Sequence, residues 1–318
     1  MVYPTVLRRD RGSCASLMRQ VNGLPDIQNA KAVPILVVLV FLLAASANYA
    51  SGAPGALPKL KSETELAFER YVRLTDDRNT AELKQGSPFL WIDDLPDNDR
   101  ATDLEALRGG TTKIDRKQTQ DAGKEIRCPG GLIHHWEAIA FIQGATVDDV
   151  LRVLEDYDRH SEYYKPDVDR SKTLQHDGDH FRAFLRFRRH KVITVVLNTT
   201  HDVNYFRDSP NRAHSRSSAI RITEVENAGK SDEREKPVGD DDGFLWRMET
   251  WWRLEEKDGG VYIQSEVVSL TRDIPAGLGW MIGPFVSSIP KESLAFTMEA
   301  TRKAVLGKKA NAASASAY

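Results

Sequence analysis

The C-terminal quarter of the chain constrains the fold most, because it reads as a β-hairpin followed by one long helix. Large side chains recur at every second position of residues 244–254, with charged side chains at several positions between them. This alternation is typical of an antiparallel strand with one dry and one wet face. Asp258-Gly259-Gly260 supplies the positive φ angles of a tight turn, and residues 261–271 form the returning strand. The alternating set is Phe244, Trp246, Met248, Thr250, Trp252 and Leu254.

Apolar side chains at three- and four-residue steps then predict a helix that ends near Leu306. Pro284 and Pro290 interrupt this pattern. Because proline removes a backbone donor but is tolerated in the first turn of a helix, we expect two helical pieces, with Pro290 opening the longer one. A curved sheet wrapped around such a helix leaves room for an apolar ligand between them.

The N-terminal 50 residues carry the features of an export signal. Residues 32–58 are uncharged, and their most apolar part, residues 33–45, follows a basic segment and precedes small side chains. This order is typical of a secretory signal peptide, and the apolar core is shorter than the roughly 20 residues that span a bilayer. We expect cleavage near Ala47 or Ala50, with an uncleaved anchor as the alternative. Either outcome places the rest of the chain outside the cytoplasm, in the periplasm or secreted.

Charge and cysteine content narrow the function classes. The whole chain has a net charge of −2, and residues 1–50 contribute +3, which leaves −5 for the remainder. Such an acidic protein has no overall attraction for nucleic acid. Cys128 would be the one cysteine left after cleavage, so no internal disulfide can form and stability must come from the core.

The remaining chain divides into an extension, a main domain and a tail. In the extension, residues 61–74 predict an amphipathic helix, and residues 111–124 a loop or a weak edge hairpin. The predicted segments are residues 1–50 as signal peptide or anchor, 51–129 as linker and N-terminal helical extension, 130–307 as the main domain, and 308–318 as a disordered tail.

The main domain alternates strands and helices in an order typical of an α+β fold. A strand at residues 132–142 precedes a helix opened by Thr146, which is followed three residues later by the acidic Asp149 in the manner of a capping box. Four further strands follow before the C-terminal hairpin and helix, at residues 170–176, 181–189, 192–206 and 213–225.

This order, together with three local stretches, resembles the START-related superfamily, which includes lipid-transfer domains, polyketide cyclase-like proteins and coenzyme Q-binding proteins. The resemblance covers roughly residues 130–306 and looks most like an exported bacterial branch. It implies the helix-grip fold, in which about seven antiparallel strands grip the C-terminal helix around a cavity. It implies no single activity, because this fold hosts carriers, sensors and enzymes. The stretches are Trp252–Tyr262, Ser269–Pro275, and Pro290–Leu294 with Ala300-Thr301-Arg302.

We therefore expect the ligand-binding residues to be large side chains that face the C-terminal helix, with a few polar groups for orientation. Close packing in the core is the alternative for each of them. The ligand would be a lipid, a quinone or another hydrophobic small molecule. The candidates are Trp136, Trp246, Met248, Thr250, Trp252, Glu266 and Phe285.

No motif for a particular reaction appears in the sequence, and we predict no cofactor and no metal. His134-His135-x-Glu137 resembles a metal site, but neighbouring side chains on a strand point to opposite faces. The alternative function is a cyclase- or hydrolase-type enzyme that uses the same cavity with a buried acid or base. Glu266, His201 and Tyr205 are the candidates for that role. A third interpretation is a purely structural protein with a filled core.

A basic run on one predicted strand raises the question of membrane contact. Such a run is usually a solvated face, and the alternative is docking to anionic lipid headgroups. It consists of Arg182, Arg186, Arg188, Arg189 and Lys191.

Overall fold

The computed structural model describes residues 59–84, 87–190, 193–274 and 279–315, and for residues 279–287, 313 and 315 it describes the backbone alone. The predicted signal peptide and the Phe285 side chain lie outside this description. The chain divides into the units Met1–Gly55 and Ala56–Tyr318, and everything described below belongs to the second.

Nine antiparallel strands form one sheet. They are β1 (Lys113–Arg116), β4 (Gly131–Gln143), β5 (Val168–Asp177), β6 (His180–His190), β7 (Thr194–Ser209), β8 (Arg212–Glu226), β9 (Arg234–Glu235), β10 (Arg247–Lys257) and β11 (Gly260–Arg272). Their order in the sheet is β1-β4-β11-β10-β8-β7-β6-β5, with β9 paired to β8. Seven of them are long, which confirms the predicted series, while β1 and β9 are short additions. A separate small hairpin consists of β2 (Gln120–Asp121) and β3 (Lys124–Glu125).

Along the chain, two helices precede the long strands, two lie between the strands β4 and β5, and one follows the last strand. They are α1 (Ser62–Glu82), α2 (Asp97–Arg108), α3 (Val147–Leu154), α4 (His160–Tyr163) and α5 (Gly279–Ala315), with 3₁₀ turns at Trp91–Asp94 and Tyr157–Arg159. The predicted cap of α3 is confirmed: the Thr146 hydroxyl accepts a hydrogen bond from the Asp149 amide at 3.2 Å, and the Asp149 carboxylate accepts one from the Thr146 amide at 2.9 Å. No helix in the described part of the chain is long and apolar enough to cross a membrane.

The C-terminal helix differs from the prediction in two ways. It is one continuous helix across Pro290 rather than two pieces, because a proline removes one backbone donor while the apolar stripe beyond it stays buried against the sheet. Residues 308–315 also continue the helix instead of forming a disordered tail. Lys308 and Lys309 bind Asp156 at 2.7 Å and Asp149 at 2.8 Å, which holds this end against α3 and the turn after it.

The two faces of the sheet are covered by different parts of the chain. The inner face packs on α5, through residues such as Ala138, Ile263 and Met298. The outer face is covered by the N-terminal extension, with Phe68 and Tyr71 of α1 against Trp251 and Val268. Since β1 also pairs with β4, the extension belongs to the same compact unit as the predicted main domain. An α+β helix-grip fold with an N-terminal helical extension is therefore confirmed.

Candidate functional site

The inner face changes from close packing to partial exposure along α5. Towards the C-terminal half of the helix, the sheet side chains Ala140, Ile142 and Leu254 and the helix side chain Met298 are at most 1% exposed. Towards its beginning, smaller inner-face side chains such as Ser265 and Ser269 are buried, but the large ones are only partly buried. These are Trp136, Met248, Thr250, Trp252 and Val267, and we call them the inner site. Three neighbouring strands supply them, since Val267 pairs with Trp136 on one side and with Thr250 on the other.

Buried tyrosines close the packed end of the inner face. The Tyr164 hydroxyl lies 3.0 Å from that of Thr301 on α5. The Tyr205 hydroxyl lies 2.8 Å from the Tyr157 hydroxyl and donates to the Leu154 carbonyl at 3.0 Å. Burial raises the pKa of Tyr205 well above its ordinary value. Tyr205 is thus part of a satisfied core network, which does not suit the acid–base role considered for it.

A polar cluster lies between these two ends, on β7 and β8. His201 is 5% exposed, its Nε2 lies 2.9 Å from the Thr199 hydroxyl, and its Nδ1 lies 3.5 Å from the Ser217 hydroxyl. Burial, and to a smaller degree the charge of His160, lowers the pKa of His201 to about 4. The ring is therefore neutral at neutral pH.

The structure places two predicted cavity residues on the outer face. Trp246 precedes the first residue of β10, so the strand alternation does not govern it; it packs against the extension and its Nε1 donates to Asp241 at 2.9 Å. Glu266 alternates with the inner residues of β11 and faces α1. These placements correct the expectation that both side chains line the space beside the C-terminal helix.

Glu266 is the centre of a buried hydrogen-bond network that joins α1 to the sheet. Its carboxylate lies 2.5 Å from His135 Nε2, accepts from Asn79 at 3.0 Å, and pairs with Arg78. Burial would raise the pKa of Glu266, but the His135 hydrogen bond and the Arg78 charge outweigh it and lower this pKa to about 2. The Tyr71 hydroxyl lies 2.9 Å from His135 Nδ1 and completes the chain of contacts.

A second carboxylate lies opposite Glu266 in the sheet. Glu137 is its register partner on β4. Burial and the negative charge of Glu266 raise the pKa of Glu137 to about 7. Lys117 Nζ, at 3.0 Å, and Gln264 Nε2, at 2.8 Å, are its partners.

Arg253 and Trp251 extend this attachment along β10. Arg253 is 3% exposed and donates to the Phe89 carbonyl at 2.9 Å and to Asn79 and Glu82 of α1 at 2.6 Å each. Trp251 Nε1 donates to Asp76 at 2.7 Å. Sequence patterning had indicated a wet face here because these positions are polar. The sequence signal for a covered face was a tryptophan, Trp251, among the charged residues at alternate positions of this strand.

His134 and His135 are separated as the strand geometry requires. His134 Nε2 lies 2.9 Å from the Thr271 hydroxyl, while His135 joins the Glu266 network. In the described residues, no group of three histidine, cysteine or acidic side chains is arranged to hold a metal ion.

The basic run on β6 is paired with acids as far as it is described. Arg186 makes two 2.8 Å hydrogen bonds to Glu233, and Arg188 lies 2.5 Å from Asp169. Arg189 pairs with Asp167, and Arg182 lies 3.6 Å from Asp202. This pairing makes the run a poor site for anionic headgroups.

Two surface grooves lie away from the inner site. One, of about 620 Å³, lies between α1 and the β2–β3 hairpin and is lined by Leu66, Arg70 and Ile126 among others. The other, of about 320 Å³, lies beside α3 and includes Tyr205 and Phe206. None of the predicted ligand-binding residues whose side chains are described lines either groove.

Solved structures with similarity to this chain include lipid-transfer and cyclase proteins. A fragment of the STAR-related lipid transfer protein from Xanthomonas axonopodis is 17% identical, covers 60% of this chain and 98% of its own, with a TM-score of 0.38. The Zhui aromatase/cyclase from Streptomyces sp. R1128 is 14% identical, covers 56% of this chain and 93% of its own, with a TM-score of 0.35. A START superfamily protein from Mycobacterium smegmatis is 12% identical, covers 56% and 97%, with a TM-score of 0.34.

No protein-family model and no curated protein matches the chain. These similar structures include members of the superfamily that the sequence resembles. At these identities and TM-scores they indicate neither ligand nor activity.

Removing the Glu266 carboxylate should destabilise the protein strongly. Glu266→Ala leaves Asn79, His135 and Arg78 without their shared acceptor, and we expect a loss of about 3–5 kcal/mol in the free energy of unfolding. The measurement is urea unfolding at pH 7. Glu63→Ala is the control, because its side chain is 59% exposed and lies 3.7 Å from Lys61; it should change stability by about 0.5 kcal/mol or less. Equal small effects would show that the network does not hold α1.

Stability should fall as pH falls from about 6.5 to about 4. Burial lowers the pKa of His134, His160 and His201 to about 4, so the unfolded chain binds more protons than the native protein in this window. Glu137, with its pKa of about 7, acts in the opposite direction, as do Glu155 and Glu224, whose pKa values burial also raises. They are outnumbered by the three histidines together with His135, whose pKa burial also lowers.

The free energy of unfolding, measured by urea titration at half-unit pH steps, tests this sign. His201→Phe should reduce the slope by about one histidine's share. A stability that stays constant or rises on acidification would contradict the burial of three neutral imidazoles.

Proposed function

We propose that this protein holds a hydrophobic small molecule at the inner site, between the sheet and the beginning of α5. The observation that carries the proposal is the change in burial along the inner face. Leu254 is 1% exposed and Ile263 is fully buried, whereas Trp252, two residues from Leu254 on the same strand face, is partly exposed.

Large apolar side chains that are incompletely buried on a concave face indicate room for an apolar ligand rather than a finished core. Trp252 and Trp136 offer aromatic surface, although Lys291 Nζ lies 5.7 Å from the centre of the Trp136 ring, and Thr250 offers a hydroxyl beside them. Aromatic surface provides most of the contact area for rings and chains, and a few polar groups orient the ligand. A lipid or a quinone fits this combination.

Binding without catalysis is the function that the contacts favour. Glu266 is paired with Arg78 on the outer face, and Tyr205 is bonded within the packed end. Of the three acid–base candidates, His201 alone lies beside the inner site, and its described hydrogen-bond contacts are the hydroxyl groups of Thr199 and Ser217 rather than a carboxylate. A base without a group to stabilise its protonated form is weak in an apolar environment.

We further propose that the protein works outside the cytoplasm, on the strength of the basic, apolar and small-residue order of residues 1–50. The intact mass of the protein recovered from the periplasm or medium tests this part. A mass that corresponds to a start near residue 48 or 51 supports it, and full-length protein confined to the cytoplasm would contradict it.

Loss of the Trp252 side chain should weaken uptake of a neutral hydrophobic probe. We expect wild-type protein to bind N-phenyl-1-naphthylamine saturably, and Trp252→Ala to raise the Kd at least about tenfold through lost aromatic contact. The measurement is a fluorescence titration on folded protein, with unfolding curves taken for each variant.

Phe206→Ala is the matched control, because Phe206 is an exposed aromatic residue of the 320 Å³ surface groove. Its Kd should stay within about twofold of wild type. If Phe206→Ala abolished binding and Trp252→Ala did not, the probe would occupy the groove and the inner-site proposal would be wrong.

A further inference from the structure

The polar cluster of Thr199, His201 and Ser217 has a fixed hydrogen-bond direction. The Thr199 hydroxyl donates to the Leu185 carbonyl at 2.9 Å. A hydroxyl has one proton to donate, so Thr199 must accept from His201 Nε2, which lies 2.9 Å away. Nδ1 of the neutral ring is therefore the acceptor.

This acceptor is weakly occupied. The Ser217 hydroxyl is its contact, at 3.5 Å, which is at the outer limit for a hydrogen bond. Ala183 and Ala219 are the register partners of His201 on the two neighbouring strands, so small side chains flank the imidazole on both sides. A buried acceptor whose hydrogen bond is long loses its hydration without full compensation, so a closer donor would bind it favourably.

Ser217 connects the cluster to the inner site. It is partly exposed and is the register partner of Thr250 on β10. Thr250 in turn pairs with Val267, which pairs with Trp136. A molecule that lies against the tryptophans could thus place one end beside Ser217 and His201.

The described strand residues around the cluster are uncharged, and Lys291, whose Nζ lies 5.7 Å from the centre of the Trp136 ring, is three strands away from Ser217. The alternate residues of β7, β8 and β10 that surround His201 and Ser217 on the inner face carry no charge. They are Val203, Ser215, Ala219, Met248, Thr250 and Trp252. A carboxylate or phosphate placed here would be buried without a counter-ion among these side chains, which costs several kcal/mol.

We infer that the bound molecule is an uncharged amphiphile whose hydroxyl group donates to His201 Nδ1 and accepts from Ser217. This inference rests on the proposed function and names its ligand class: neutral alcohols with an apolar body, rather than fatty acids or phospholipids. The ligand hydroxyl replaces the long Ser217–His201 contact with two shorter hydrogen bonds.

The test compares retinol with retinoate, which share one apolar body and differ in carrying a hydroxyl or a carboxylate. Binding of each is followed by quenching of tryptophan fluorescence at pH 7.5. We expect retinol to bind at least about tenfold more tightly. Equal affinities, or tighter binding of retinoate, would overturn the inference and leave the proposed function standing. Failure of both to bind, together with failure of the neutral naphthylamine probe, would count against the proposed function itself.

Variants of the cluster locate the preference. His201→Phe removes the acceptor and keeps the ring volume, and Ser217→Val removes the hydroxyl and places a methyl group beside Nδ1. Each should reduce the advantage of retinol to about threefold or less. If His201→Phe does not fold, Ser217→Val carries the test.

His214→Phe is the matched control, because this histidine lies on β8 with the outer-face residues, stacks on Phe206 and binds Asp208 at 2.8 Å. It should leave the preference for retinol unchanged. An unchanged preference in Ser217→Val, or a preference lost in His214→Phe alone, would show that the cluster does not select the ligand.

Discussion

The buried Glu266 carboxylate is the interaction on which the rest of the structure depends. An ionised group at 1% exposure requires partners, and α1 supplies Arg78 and Asn79 while β4 supplies His135. A buried ion pair of this kind adds less net stability than its contacts suggest, because both charges lose their hydration. The network instead determines position, because α1 can pair with the buried charged groups only when it lies at one place on the outer face.

Because α1 covers the outer face of the sheet, the side chains that can contact a ligand are those of the inner face. Strands β10 and β11 bury polar and aromatic side chains under α1 on alternate positions, with Trp251 and Arg253 as examples. The intervening positions face α5. Among them, Leu254 is buried, whereas Trp252 is partly exposed. Neighbouring tryptophans on one strand therefore have different roles: Trp251 attaches the extension, and Trp252 faces the proposed ligand.

Local patterns in the sequence were sufficient for the framework. The alternation around the tryptophans and the Asp-Gly-Gly turn predicted the β10–β11 hairpin, and the Thr146–Asp149 pair predicted the start of α3. These features depend on residues close together in the chain, which is why they could be found from sequence.

What could not be predicted depends on partners far apart in sequence. Glu266 was assigned to the inner face because nothing nearby in sequence reveals that α1, almost 190 residues earlier, supplies its partners. Trp246 continued an alternating pattern past the true beginning of β10. Pro290 was predicted to begin a separate helix, but α5 continues across it because the apolar residues that follow are buried against the sheet. Each error arose where tertiary contacts outweighed a local preference.

Native mass spectrometry of the protein, purified without detergent, tests the central claim most directly. We expect a reproducible additional mass that organic solvent extracts and that reappears when the stripped protein is given the extract. A Trp252→Ala preparation should carry less of it. A clean mass of the chain alone, with no uptake of extract or probe after solvent treatment, would contradict the claim that the inner site is a binding site.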